Sequence, residues 1–197
     1  MDRVAPELAS HPDRLKWNAR YAGGYGAAFA GHPLAERALA LRLPAGPVLD
    51  LACGASGDAL LAAAAGRRVV AVDVSDTALR LLGAAAERRG LAGLITLVHA
   101  DLATWRPPAD CALVLATGYW DRAVFAAAAG AVAVGGLLGW EAFTAAARRA
   151  RPSLPAAWCL GPGEPAALLP GDFDVLGQAD VPGEAPRRRM LARRHPV

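Results

Sequence analysis

The chain has 197 residues, 54% of them hydrophobic and 20% charged, with a formal net charge of +3. That is the length of one domain with a single sizeable core, and no polar tract is long enough for disorder. The longest apolar run, Ala123 to Leu138, is broken by Gly130, Gly135 and Gly136, which excludes a membrane-spanning helix.

The basic residues are almost all arginine, Lys16 being the sole lysine. Three cysteines, Cys53, Cys111 and Cys159, lie far apart with no C-x-x-C pair and no metal spacing. A reducing compartment suits them better than a secreted disulfide scaffold. Met1 to Pro12 is mixed and polar rather than a basic-then-apolar leader, so a cytoplasmic protein is expected.

In chain order, an amphipathic N-terminal segment carries Trp17-Asn18-Ala19-Arg20-Tyr21. A short apolar strand, Val48 to Leu51, then contains the acid Asp50 and runs into Ala52-Cys53-Gly54-Ala55-Ser56-Gly57-Asp58. The small residues let the backbone approach a ligand closely, and a helix beginning near Asp58 aims free N–H groups at the same place. A second strand, Val69 to Val72, ends in Asp73, 19 positions after Gly54 (73 − 54). That is the usual offset for an acid that grips both hydroxyls of a ribose. Ser75 caps a helix through Ala78, Leu79, Leu82 and Ala86 that Gly90 closes. Further strands follow at Leu94 to Val98 and Cys111 to Ala116, then a helix over Ala123 to Ala133, a turn at Gly135-Gly136 and a strand from Leu137 to Phe143. Beyond a Pro-rich loop, a short helix is expected near Glu164 to Leu169. The last two strands, Phe173 to Ala179 and Arg189 to Arg193, are joined by too short a connection for a crossover helix, so they pair antiparallel. The expected fold is α/β, a doubly wound, seven-stranded, mostly parallel sheet with an antiparallel C-terminal strand and helices on both faces.

Two cofactors compete for the first βαβ unit. Read as Ala52-x-Gly54-x-x-Gly57, it is one substitution from the dinucleotide fingerprint, which would make the chain an NAD(P)-binding oxidoreductase. Asp50 opposes that reading, because a carboxylate there repels a pyrophosphate. It suits S-adenosylmethionine (SAM), which carries an ammonium and a sulfonium. With Asp50, the loop Leu51 to Gly54, Asp73-Val74-Ser75, Tyr119-Trp120-Asp121-Arg122, Gly135-Gly136-Leu137-Leu138 and Trp17 to Tyr21 in that order, the chain resembles class I SAM-dependent methyltransferases. Among these it looks most like the small bacterial tellurite-resistance and thiopurine-methyltransferase-like group. One departure is Ser56, where that group usually has glycine.

The resemblance implies a single domain over residues 1–197, with 1–44 as a helical cap and 45–197 as the core. It implies that Asp50, Ala52, Cys53 and Gly54 face the methionine end of SAM, that Asp73 holds the ribose, and that Val74 packs on the adenine. Asp101 and Leu102 would lie near the adenine amino group, and Arg20 and Tyr21 near the cofactor carboxylate. Asp101 also reads as a simple helix cap, Arg20 as a solvated position and Trp17 as a core anchor.

Candidates for catalysis are Tyr119, Trp120, Asp121 and Glu141, all after the fourth and fifth strands. Trp120 and Trp140 read equally well as core, and Asp121-Arg122 as a helix start. A thiol or selenol acceptor needs no dedicated base, whereas oxygen or nitrogen can need one. The implied function is methyl transfer to a small molecule, with a soft sulfur, selenium or tellurium nucleophile as the family's guess. Arg148, Arg149, Arg151 and Arg187, Arg188, Arg189, Arg193, Arg194 leave an RNA methyltransferase open, although Thr117-Gly118-Tyr119-Trp120 stands where amino-group methylases of nucleic acids carry Asn/Asp-Pro-Pro-Tyr/Phe. A SAM-binding protein without turnover is the remaining alternative. The four histidines are scattered and predict no metal site.

Overall fold

A computed structural model describes residues 5–25, 28–55 and 57–196; Ser56, the departure noted above, lies outside them. Its centre is a seven-stranded sheet in the order β3-β2-β1-β4-β5-β7-β6. The strands are β1 (Val48–Leu51), β2 (Val69–Asp73), β3 (Ile95–His99), β4 (Cys111–Thr117), β5 (Val132–Phe143), β6 (Phe173–Val181) and β7 (Arg187–Arg194). Only β7 runs against its neighbours, as the short connection required. The expected architecture is therefore the observed one.

The central strands are continuous apolar runs because both of their faces are covered. All four residues of β1 and the first six of β4 are buried. Helices α2 (Pro33–Leu39), α3 (Asp58–Ala64) and α4 (Asp76–Arg88) share one apolar layer with Val48, Leu113 and Leu115. Helix α5 (Arg122–Ala131) packs on the opposite face with Leu49, Leu51 and Val114. Helix α1 (Pro12–Ala22) buries none of its own residues and lies against α4. Ser75 starts α4 by accepting the Ala78 amide at 3.1 Å, and Ala78, Leu79, Leu82, Ala85 and Ala86 form its buried stripe.

Two local expectations change. Helix α5 stops at Ala131 and β5 begins at once with Val132, so Gly135-Gly136 lies inside the strand rather than before it. The pairing with β4 jumps from Cys111↔Val132 to Leu113↔Leu137, and Gly135 takes up the irregularity at φ +78°. A glycine pair between apolar runs thus marks a bulge here, not a turn. The helix expected near Glu164 to Leu169 is only a 3-10 turn, Ala166–Leu168, because Pro165 and Pro170 leave no room for a full one.

Sequential strands run outward from β1 to β3 and then return to β4 beside β1. That reversal leaves a crevice at the carboxyl ends of β1 and β4, the usual ligand position in such sheets.

Candidate active site

The loop leaving β1 turns sharply through two left-handed residues, Ala52 at φ +50° and Gly54 at φ +56°. It is tied to the next strand by Asp73. One oxygen of this buried carboxylate accepts the Gly54 amide at 2.8 Å, and the other accepts the Ser75 amide at 2.7 Å. Burial pushes Asp73 up to about 6 even against those two bonds. Each oxygen keeps a second lone pair, which leaves capacity for a pair of hydroxyls.

Asp50 is 1% exposed, and among the described residues neither of its oxygens has a hydrogen-bond partner of good geometry. Its carboxyl is held well above the usual range, first by burial and then by the nearby Asp58 and Asp73 carboxylates; the Ala59 amide opposes this only in part. A buried acid in that condition fits a cationic ligand and does not fit a pyrophosphate. Cys53 is buried beside it, and burial with the Asp73 charge raises its thiol, which keeps it from serving as a thiolate.

Helix α1 closes over this loop. Asn18 donates to Asp76 at 2.7 Å and accepts from the Ser75 hydroxyl at 2.6 Å and the Thr77 amide at 3.2 Å. Arg14 adds a 2.7 Å ion pair with Asp76. The Tyr21 hydroxyl rests on Gly54, where any Cβ would collide with it. Burial, followed by the Asp73 and Cys53 charges, raises that phenol. Gly57 is required for a similar reason, since Phe29 and Ala30 pass directly over it. Arg20, however, is exposed and stacked on Trp17 and Tyr25 at 4.9 and 4.5 Å. At its outer side α1 touches the 3-10 turn Ala156–Trp158, with the Lys16 ammonium 4.4 Å from the Trp158 ring.

A second polar group sits at the ends of β4, β5 and β7. Asp58 accepts the His32 amide at 2.6 Å and the Thr117 hydroxyl at 3.2 Å, and burial raises its carboxyl. The His32 Nδ1 accepts the Leu34 amide at 3.1 Å, which leaves Nε2 to carry the hydrogen toward Glu141 Oε1 at 3.2 Å. Arg189 donates to Glu141 Oε2 at 2.7 Å, while Arg187 lies 3.4 Å from Oε1 and over the Phe143 ring at 4.4 Å. Burial works against ionisation of Glu141, but His32 and Arg189 hold it down to about 2.

Of the residues singled out in the sequence, Asp50, Ala52, Cys53, Gly54, Asp73 and Tyr21 converge on one crevice. Val74 follows Asp73 and offers its carbonyl to His99 at 3.0 Å. Asp101 accepts the Ala103 amide at 3.0 Å and lies 3.5 Å from the His11 ring, with Leu102 buried next to it. Trp120 belongs to the core, in edge contact with Trp140 at 6.1 Å and tilted against Phe125 at 5.5 Å. Asp121 caps α5 through the Val124 amide at 2.9 Å. The half-buried Tyr119 has its phenol raised by burial and then by Asp121, Asp101 and Asp13. His32, Asp58, Arg187 and Arg189 were not picked out as site residues. The only signal for His32 was its place before Pro33, the pattern of a helix start. No cluster able to hold a metal exists among the described residues.

Residues 48–136 match the family model described as a methyltransferase domain. No curated protein matches the sequence. Among solved structures, TehB from Haemophilus influenzae superposes with a TM-score of 0.69 at 17% identity, covering 90% of this chain and 67% of its own. The geranyl diphosphate C-methyltransferase from Streptomyces coelicolor A3(2) gives 0.67 at 14%, covering 98% and 89%. A protein that converts a disulfide bond into a thioacetal group during echinomycin biosynthesis gives 0.64 at 20%, covering 92% and 93%. At these identities the likeness is one of fold, and the fold is that of the class I methyltransferases.

Proposed function

We propose that this chain binds SAM and transfers its methyl group to a small-molecule acceptor bearing a soft nucleophile such as a thiol or selenol. The observation that carries this reading is Asp50, a fully buried acid whose oxygens have no hydrogen-bond partner of good geometry among the described residues, set beside an Asp73 that has lone pairs to spare. The first suits the cationic methionine end, the second a ribose, and together they disfavour NAD(P). SAM, when bound, supplies an electrophilic methyl on a sulfonium that a nucleophile displaces in line.

The remaining work falls to the protein as positioning and exclusion of water. Asp50 holds the cationic end, Ala52, Cys53 and Gly54 let the backbone come close, and Asp73 orients the ribose against Val74. Tyr21 closes the loop from above, with Arg20 at the rim; Asp101 and Leu102 border the adenine side. Fixing two reactants in this way contributes on the order of 7–11 kcal/mol in favourable cases. Glu141 and the His32 ring are each engaged at both polar atoms, and Asp121 is committed to a cap. Glu141 and His32 thus have no open polar atom for a proton, and Asp121 is tied to its cap by one oxygen, which favours an acceptor that ionises by itself near neutral pH.

The arginine-rich C-terminus supports a small molecule over RNA, because its charges are largely spent within the protein. Arg189 faces Glu141, Arg194 pairs with Asp172 at 2.7 Å, and Arg193 bonds the Gly135 carbonyl at 2.7 Å. We take the chain as one cytoplasmic domain in which α1, within the 1–44 segment, supplies the cap, while α2 of the same segment packs into the core.

Titration calorimetry with SAM, S-adenosylhomocysteine and NADPH tests the assignment, with Asp73→Ala alongside and its melting followed separately because Asp73 also ties the loop. Micromolar binding of the two adenosyl compounds and none of NADPH is expected. NADPH binding alone would overturn the reading.

A further inference from the structure

Asp50 presents a problem that its surroundings do not solve. Its neighbours across the sheet are Ala71 on β2 and Leu115 on β4, which offer it no polar side chain. The titratable groups that bear on it are Asp58 from α3, Asp73 from β2 and Cys53 from its own loop, all acidic. Among the described residues neither carboxylate oxygen has a hydrogen-bond partner of good geometry, and only the Ala59 amide lies near enough to oppose the effect of burial. Three carboxylates about one crevice, one of them with no cation beside it among the described residues, are not a stable arrangement of charges in a low-dielectric site.

We propose that Asp50 is held as the neutral acid in the free protein and gives up its proton to solvent when the cationic methionine end of the cofactor arrives. The inference rests on the cofactor reading above and adds to it a protonation step in binding. Charge balances simply: the O–H bond of the Asp50 carboxyl breaks, the proton leaves for buffer, and the carboxylate formed faces the ligand ammonium, which keeps all of its own protons. Burial and the two neighbouring acids push the carboxyl well above its ordinary range, toward the neutral form. The sign follows from linkage. Where the free protein holds an extra proton, affinity strengthens as pH rises, by about tenfold per pH unit for one proton. The site thereby also selects by charge, since a ligand without a cation has nothing to offer in return for the proton.

The test is calorimetric proton counting on the intact protein between about pH 5 and 7, below the titration of the ligand's α-amino group. S-adenosylhomocysteine is titrated in pairs of buffers of different ionisation enthalpy, and 5′-methylthioadenosine, which keeps the ribose but lacks the amino-acid end, is titrated in parallel. Asp73, itself raised to about 6, titrates in this window too, but both ligands carry the ribose and share its contribution. The expected result is up to one more proton released by S-adenosylhomocysteine than by 5′-methylthioadenosine. Asp50→Asn, which mimics the neutral acid, should abolish that excess and bring the pH dependence of the two ligands together, leaving only the contribution of Asp73 that they share. Should the variant fail to fold, the difference between the two ligands on the native protein decides alone. Equal proton counts would overturn the inference and leave the cofactor assignment standing. A failure of every adenosyl compound to bind would remove both.

Discussion

Ala52 shows how much of this site is written at the level of single residues, and where that writing is imperfect. The loop needs a left-handed residue immediately before Cys53, and the chain supplies an alanine at φ +50° where a glycine would sit without strain. A Cβ in that region costs roughly 1–2 kcal/mol, partly offset by the smaller entropy alanine loses on folding. Ala52→Gly should therefore stabilise the protein by about 0.5–1 kcal/mol, read as a higher denaturant midpoint with an unchanged slope. An unchanged or lower midpoint would mean that the alanine methyl contributes packing that outweighs the strain. The acids of this loop were legible from sequence because strand ends and the 19-residue offset fix them locally. Their condition was not legible: that Asp73 accepts two well-placed amides and Asp50 none among the described residues depends on which amides the fold turns toward each.

At the scale of elements, the alternation of strands and helices could be read almost throughout, since continuous apolar strands and capped amphipathic helices announce themselves. The failures came where glycines and prolines had more than one use, in the bulged β5 and the aborted helix before β6. Helix α1 is the element whose partner could not be foreseen. Arg14 and Asn18 face α4 while Tyr21 faces Gly54, and Asn18 alone links Ser75, Asp76 and Thr77 at the start of α4. Removing those bonds with Asn18→Ala should lower the free energy of local opening of residues 12–22 by about 1–2 kcal/mol, seen as roughly tenfold faster amide exchange confined to that segment. Equal exchange in the two proteins would show that the aromatic contacts, not the asparagine, keep the helix down.

Across the whole molecule, Glu141 is the knot that joins the returning C-terminal strands to the front of the sheet. It meets His32, 109 positions earlier, and Arg189, 48 positions later, separations at which no sequence pattern survives. Its identity as a strand-end acid was visible, but its commitment to structure was not. Glu141 falls to about 2 in the folded state from an ordinary 4.5, so its contribution is present above 4.5 and lost as pH drops toward 2. Glu141→Gln leaves Arg189 without a counter-charge and should cost about 3 kcal/mol at neutral pH. In urea unfolding the gap to the native protein should shrink steadily below pH 4.5 and nearly close at pH 2. A gap independent of pH would mean that shape rather than charge is what the glutamate provides.

The lone lysine acquires a practical meaning from where it lies. Lys16 stands on α1 with its ammonium over the ring of Trp158, at the seam between the helix and the turn beyond β5. Reductive dimethylation with isotope-labelled formaldehyde preserves the positive charge, so the contact with the ring persists. The treated protein then carries one side-chain methyl signal, displaced by the ring current of the indole beneath it, and the α-amine signal is told apart by its lower pKa. As α1 lifts, that displacement should vanish, so the scarcity of one amino acid type turns into a single-site reporter of opening and closing, with no residue exchanged for another.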